Sequence, residues 1–117
     1  MSSLPGYRWV TGTAEVSNTD ADEPVIAAQG AAKVIRLMKA TISVSVIATG
    51  GGGEVALEDG AGGTRLFEAD ADALGVYHLD FGPLGYPLTA DTALNLTVDG
   101  AATTQATARC TAAAYSN

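Results

Sequence analysis

The sequence of 117 residues predicts an all-β fold, a single-domain β-sandwich or jelly roll of about eight antiparallel strands. Three observations support this prediction. Apolar and polar residues alternate with a period of two in several stretches, which is the pattern of a strand with one buried face. Turn-forming sequences that use many of the 14 glycines separate these stretches at regular intervals. Long runs of Glu, Lys, Leu and Gln are absent, so the composition favours short strands over helices.

The longest apolar-rich stretch, residues 33–48, predicts the central strand of the sandwich. From Ala40 onward, apolar side chains alternate with Thr and Ser. Extending that register backwards puts Val34 and Met38 on the buried side but leaves Ile35 and Leu37 on the outer side. A strand that is apolar on both faces needs a second cover, from another sheet, a bulge or another subunit. We expect another subunit to supply part of it.

A helix over residues 31–40 is the alternative for the first part of this stretch. Val34, Leu37 and Met38 follow helical spacing. The basic residues Lys33, Arg36 and Lys39 do so as well. The segment nevertheless runs without a stop signal into the clear alternation after Ala40, which favours the strand.

The remaining strands follow from the same alternation, and residues 1–6 precede them as a predicted flexible arm, so that the domain spans 7–117. The predicted strands cover residues 7–16, 25–29, 54–58, 64–69, 75–81, a stretch that opens at Asp91, and 102–115. In the hairpin strand 54–58, Val55 and Leu57 are expected inside and Ala56 and Glu58 outside. The last strand has one side lined with Ala and Cys110, and such small side chains either pack very close to the opposing sheet or lie against large side chains.

Composition excludes several classes of partner. The net charge of −7 and the isoelectric point of about 4.3 argue against binding to nucleic acid, which requires a basic surface. Anionic membrane surfaces are disfavoured for the same electrostatic reason. No signal sequence or apolar run of about 18 residues is found, so we expect a soluble protein made in the cytosol. The single cysteine, Cys110, excludes an intramolecular disulfide and is expected to be a small buried residue.

Candidate catalytic and metal-binding residues are few. Two acidic clusters have a spacing that could offer oxygens to calcium, but neither matches a calcium loop, and solvated turns are the preferred interpretation. The clusters are Asp20, Asp22 and Glu23, and Glu68, Asp70 and Asp72. The only histidine, His78, lies beside Asp80, and no motif ties a nucleophile to it. We therefore predict no enzyme activity, no metal and no cofactor.

Aromatic residues offer another kind of site. Trp9 with Tyr7, Tyr86 and Tyr115 could form a platform for carbohydrate, although packing in a core or an interface is the more frequent role of such residues.

Three stretches together resemble small structural proteins of tailed-phage virions. They are VIAAQGAAKVIRLMKATISVS, the hairpin GGGEVALEDGAGG, and GVYHLDFGPLGYPLTADTALNLTVDG, followed by a final strand that ends in AAYSN. The resemblance covers most of residues 25–115 and rests on pattern and spacing. Gly30, Lys33, Ile35 and Arg36 match the family pattern, which implies structural roles for them and provides no catalytic residue. It also implies a compact β-sandwich or jelly-roll module that is often trimeric.

The function implied by the resemblance is that of a non-enzymatic capsid decoration protein. Such a protein, synthesised in the host cytoplasm, would bind the major capsid protein on the outer surface of a phage head as a homotrimer and stiffen the shell. Expected capsid-binding residues are Ser2, Leu4, Tyr7, Trp9, Leu84 and Tyr86, and expected oligomer-interface residues are Ile35, Leu37 and Tyr115. A receptor- or carbohydrate-binding module on a phage fibre or tail is the alternative. A small jelly-roll enzyme is a further alternative, and it would need a metal or a general base.

Overall fold

A computed structural model describes residues 8–17, 23–46, 54–70, 74–99 and 107–116. Within these ranges the chain forms nine strands and no helix, which confirms the predicted all-β class. The strands are β1 (Arg8–Ser17), β2 (Glu23–Ile26), β3 (Ile35–Val46), β4 (Glu54–Asp59), β5 (Thr64–Asp70), β6 (Gly75–Asp80), β7 (Tyr86–Pro87), β8 (Leu94–Asp99) and β9 (Thr107–Ser116). The predicted arm 1–6 lies outside the described residues.

The strands form two antiparallel sheets with the connectivity of a jelly roll. Strands pair from the two chain ends inward, β1 with β9, β2 with β8, β3 with β6 and β4 with β5. Further pairing of β9 with β3 and of β8 with β4 closes this folded ribbon into one sheet of order β1-β9-β3-β6 and another of order β2-β8-β4-β5. The two-residue β7 pairs with β3 beyond the end of β6 and was not predicted.

The core lies between the two sheets. β9 faces it with Ala108, Cys110, Ala112 and Ala114, all fully or almost fully buried, as the alternation predicts for that part of the strand. Residues 102–106 of the predicted strand lie outside the described residues. Larger core side chains come mainly from β3, β4 and β8. Small residues on the interior strand β9 therefore let the two sheets approach closely.

A β-bulge in β3 decides which side chains reach the core. Leu37 pairs with Ala114 and Lys39 with Ala113, so Met38 is an extra residue that reverses the alternation. Ile35 and Leu37 consequently share the inner face with Ile42, and Leu37 has 0 % of its surface exposed within a single chain. Their predicted outer-face position was wrong, and they are not available to an oligomer interface. Val34 and Met38, predicted to be buried, are half-buried.

The outer face of β4 also differs from its prediction. Ala56 and Glu58 were expected in solvent, but Ala56 is fully buried and only 4 % of Glu58 is exposed. Arg65 of β5 forms ion pairs with Glu54, Glu58 and Glu68, and its side chain therefore lies across this face. The hydrogen bonds that Arg65 donates to Glu54 and then to Glu68 raise the pKa of Arg65, so it is charged at every accessible pH.

Strand directions define two ends of the sandwich. The Arg8 end holds the start of β1, the end of β9 and the connections 27–34, 60–63 and 81–93. The Ser17 end holds the end of β1 and the start of β9. Strands at the Ser17 end are connected through residues 18–22, 47–53, 71–73 and 100–106, which lie outside the described part of the chain.

Candidate binding surface at the Arg8 end

A row of four side-chain positions crosses the first sheet at the Arg8 end. Trp9 pairs with Tyr115, Tyr115 with Arg36, and Arg36 with Pro87, so the row runs over β1, β9, β3 and β7. Adjacent strands lie about 4.8 Å apart, which gives the row a length of about 14 Å. We call these four residues the aromatic row. It gathers residues that are up to 106 positions apart in the chain.

Trp9 and Tyr115 form the apolar half of the row. Their ring centroids are 4.8 Å apart at an interplanar angle of 72°, an edge-to-face contact that fixes both rings. Both point away from the core, because their neighbours Val10 and Ala114 face inward. Trp9 keeps 40 % of its surface exposed. The contact therefore presents a rigid aromatic surface to solvent.

The loop of residues 82–87 extends the row at its other end. Arg36 Nη1 donates a hydrogen bond of 2.9 Å to the carbonyl oxygen of Leu84. The Gly85 amide donates to the Gly82 carbonyl at 3.1 Å, and the Gly82 amide donates to Asp80 Oδ1 at 2.9 Å. These bonds hold the turn in one conformation while 77 % of the Leu84 side chain stays exposed.

The β3 bulge provides the base of this loop. The Phe81 amide donates a hydrogen bond of 3.0 Å to the carbonyl oxygen of Met38, the bulged residue. Gly85 has a φ of +68°, and a Cβ there would lie 2.6 Å from Met38 Sδ and 2.8 Å from the Leu37 carbonyl oxygen. Only glycine fits this close approach. The irregularity that turns Leu37 into the core thus also positions the loop.

Two of the predicted capsid-binding residues lie close together in the structure, and their binding to a capsid stays a prediction. Trp9 and Leu84 lie on the same end and are linked through Tyr115 and Arg36. Tyr86 is 38 % exposed but pairs with the inward-facing Leu37 and contacts Phe81, with ring centroids 6.3 Å apart, so it lies beside the row instead of in it. Ser2, Leu4 and Tyr7 lie outside the described residues.

Arg36 is the residue whose part in this surface the sequence did not indicate. The resemblance marked it as structural only. A guanidinium with five donors can satisfy a loop carbonyl and still present charge to a partner. The sequence shows Arg36 only as one of six scattered basic residues, and the pairing of β3 with β7 that brings it beside the breaker-rich loop has no local signal.

Charge distinguishes this end from the rest of the protein. Five of the six Lys and Arg residues lie at or near the Arg8 end: Arg8, Lys33, Arg36, Lys39 and Arg65. Four carboxylates at this end, Glu58, Asp59, Asp80 and Asp91, offset most of that positive charge, and Asp59 and Asp80 accept hydrogen bonds from the amides of Thr89 and Gly82. The surface therefore combines exposed apolar groups with most of the basic side chains of a protein whose net charge is −7.

Other candidate groups are placed apart from one another. Cys110 faces the core from β9, whereas His78 faces solvent from β6, so the sheet separates thiol and imidazole. Burial raises the pKa of the Cys110 thiol to about 12, which keeps it protonated near neutral pH. His78 Nδ1 lies 3.3 Å from Thr41 Oγ1.

The predicted acidic clusters are only partly within the described residues. Glu23 is exposed and Glu68 pairs with Arg65, whereas Asp20, Asp22 and Asp72 lie outside. Where the structure describes the chain, no three His, Cys, Asp or Glu side chains converge as metal ligands. The same ranges contain no helix of the length and apolarity needed to span a membrane.

Comparison with known proteins identifies a shared fold but no family. No family model and no curated protein matches the chain. A chain of the cyanophage Pam1 capsid asymmetric unit superposes with a TM-score of 0.52 at 14 % identity, covering 98 % of this chain and 89 % of that one. The pilus protein of Bacillus endospore appendages gives 0.47 at 10 % identity, covering 92 % and 87 %. At this identity the Pam1 likeness shows a shared fold.

Proposed function

We propose that this protein is a non-enzymatic structural protein of a phage virion that decorates the outer surface of the capsid. The observation that carries the proposal is the aromatic row together with the exposed Leu84 loop. Rigid, exposed aromatic side chains and an adjacent Arg are the residue types that dominate protein–protein binding energy. The shared fold with a phage capsid unit supports the same role.

In this proposal the Arg8 end docks on the major capsid protein. Trp9 and Leu84 enter apolar depressions of the shell, and the positive charge of Arg36 and its neighbours orients an otherwise acidic protein toward the lattice. A single domain of this size offers a modest interface. Contacts made by several copies at once raise the apparent affinity without new kinds of contact.

The homotrimer remains a prediction that rests on the resemblance alone. Its apolar interface was to include Ile35 and Leu37, which lie in the core of one chain. Tyr115 stays exposed enough to contact a partner, but its ring already packs on Trp9. We therefore propose that each copy binds the shell by itself, without the need for a trimer.

The test is co-sedimentation of purified protein with capsids that lack it. Replacing Trp9 with Ala or Leu84 with Asp should each weaken binding at least tenfold, because each removes an exposed anchor of the surface. Thr13→Asp is the matched control, since it adds the same charge as Leu84→Asp on the same face of β1 as Trp9, four residue pairs further along the strand. It should bind as the wild type does.

Thermal unfolding of each variant separates a binding defect from a folding defect. Wild-type binding by both the Trp9→Ala and the Leu84→Asp protein would refute docking through the Arg8 end. Equal loss in the Thr13→Asp control would place the interface elsewhere on the sheet.

The exposed Trp9 ring also favours a second candidate, a carbohydrate-binding module on a fibre or tail. An aromatic ring fixed by Tyr115 can stack on a sugar face. In that case a glycan screen gives binding that Trp9→Ala abolishes, and capsids lacking the protein do not retain it.

A further inference from the structure

The two long sides of the sandwich are closed to different degrees. Where β1 meets β2, the sheets touch directly, since a Cβ on Gly12 would lie 1.8 Å from the Val25 carbonyl oxygen. On the opposite side, β5 and β6 approach through the rings of Phe67 and Tyr77, whose centroids are 5.2 Å apart. We call this the open side. It carries most of the partly buried apolar residues next to the core, namely Leu66, Phe67, Ala69, Tyr77, Leu79 and Phe81.

Three of the four sheet edges carry features that prevent pairing with another chain. At β1 the backbone of Val25 in the other sheet lies against Gly12 and shields that part of the edge. β2 contains Pro24 and a register shift, and β5 has a bulge at Leu66 opposite β4. Proline, bulges and covered edges are the devices by which native sheets avoid joining another chain.

The fourth edge, β6, has none of these features. Gly75–Asp80 contains no Pro, Lys or Arg, and its six residues pair with β3 without a register shift. On its other side the structure describes no neighbouring strand. Leu74 is 68 % exposed and Val76 56 % exposed, so two large apolar side chains lie in solvent beside this unpaired edge.

We propose that β6 pairs antiparallel with β6 of a second copy, so that the two β1-β9-β3-β6 sheets join across a two-fold axis. An axis through Tyr77 pairs the whole described stretch from Leu74 to Asp80 with itself. In this register the inward-facing residues of one β6 lie opposite the inward-facing residues of the other. The second copy therefore covers the half-buried side chains of Tyr77 and Leu79 on the open side. Identical strands meeting in this way form the closed isologous dimer that is the commonest oligomer.

The low charge of β6 favours a second copy of this chain as the strand that pairs with its free edge. β6 has a single carboxylate, Asp80, whose Oδ1 accepts a hydrogen bond from the Gly82 amide. In the Tyr77-centred register Asp80 stands opposite Leu74 of the second copy. The two Asp80 residues are then about 20 Å apart along the ladder, at about 3.4 Å per residue.

This pairing is independent of shell binding through the Arg8 end. Val76 pairs with Ser43 in the half of β3 that leads to the Ser17 end, far from the aromatic row. Loss of one interaction should therefore leave the other measurable.

The first test is native mass by light scattering over a dilution series. We expect about 23.6 kDa, twice the subunit mass of 11.8 kDa. Replacing Leu74 and Val76 together with Lys should raise the dimer dissociation constant at least tenfold, because lysine on an edge opposes pairing. Thr13→Lys is the matched control on the covered edge and should stay dimeric. A monomer at all concentrations, a trimer, or a dimer unaffected by the two lysines would overturn the proposal.

The second test fixes the register by disulfide formation under mild oxidation. In the Tyr77-centred register, residue 76 of one copy stands opposite residue 78 of the other. A mixture of Val76→Cys and His78→Cys proteins should give a covalent dimer that neither gives alone. The buried Cys110, with its pKa raised to about 12, stays out of this reaction. Cross-linking within either single variant would overturn the Tyr77 axis.

Discussion

Replacing Leu37 with Ala tests the bulge that distinguishes a core position from an interface position. The substitution removes three carbon atoms from a side chain with no exposed surface. At about 0.8 kcal/mol for each buried carbon, the transfer cost is about 2.4 kcal/mol. The cavity left behind raises the total to about 3–5 kcal/mol. A chain of 117 residues has a total stability of about 6–18 kcal/mol, so the variant should still fold.

Thermal or urea unfolding at one fixed concentration measures this loss, and we expect Tm to fall by roughly 10–20 °C. The native mass from light scattering should equal that of the wild type, because Leu37 contacts only its own chain. Leu84→Ala is the control, since its exposed side chain should change stability by less than about 0.5 kcal/mol. If Leu37→Ala matched that control in stability but lowered the native mass, Leu37 would lie in a subunit interface and the register of β3 would be refuted.

Three further substitutions test the packing of the sheets. Gly12→Ala should lower the free energy of unfolding by about 1–3 kcal/mol, because its Cβ would meet the Val25 carbonyl oxygen. Gly75→Ala is the control: it has open space around it and should lower the free energy by less than about 0.5 kcal/mol. A urea titration measures both values. Cys110 ionises near pH 9 when unfolded and near pH 12 when buried, so its contribution to stability is complete below pH 9 and is lost as pH rises toward 12. Cys110→Ala should therefore flatten the fall in unfolding free energy over that range, and an unchanged slope would contradict burial of the thiol.

Sequence patterns predicted β9 and β6 well because each has one wet face and one apolar face. The long Thr and Ala alternation of β9 needs no knowledge of its neighbours. β3 was harder, because a bulge at Met38 reverses the alternation without any Gly or Pro to mark it. Burial of Glu58 was also unpredictable, since it depends on Arg65 reaching across from the next strand.

The candidate surface was predictable only as separate residues. Trp9 and Leu84 stood out as apolar groups in a terminal segment and a breaker-rich loop. Their common location depends on the pairing of β1 with β9 and of β3 with both β9 and β7. These pairings join distant parts of the chain and have no local sequence signal.

Pairing of β1 with β9 over its full length has a practical consequence for attaching cargo. Arg8 lies opposite Ser116, so peptides fused before β1 or after β9 would emerge side by side at the proposed shell-facing end. Peptides inserted within residues 47–53 would instead leave from the opposite end, between β3 and β4. A particle coated with this protein should therefore tolerate foreign epitopes in the four-glycine segment and lose its coat when the same epitopes are placed at the termini.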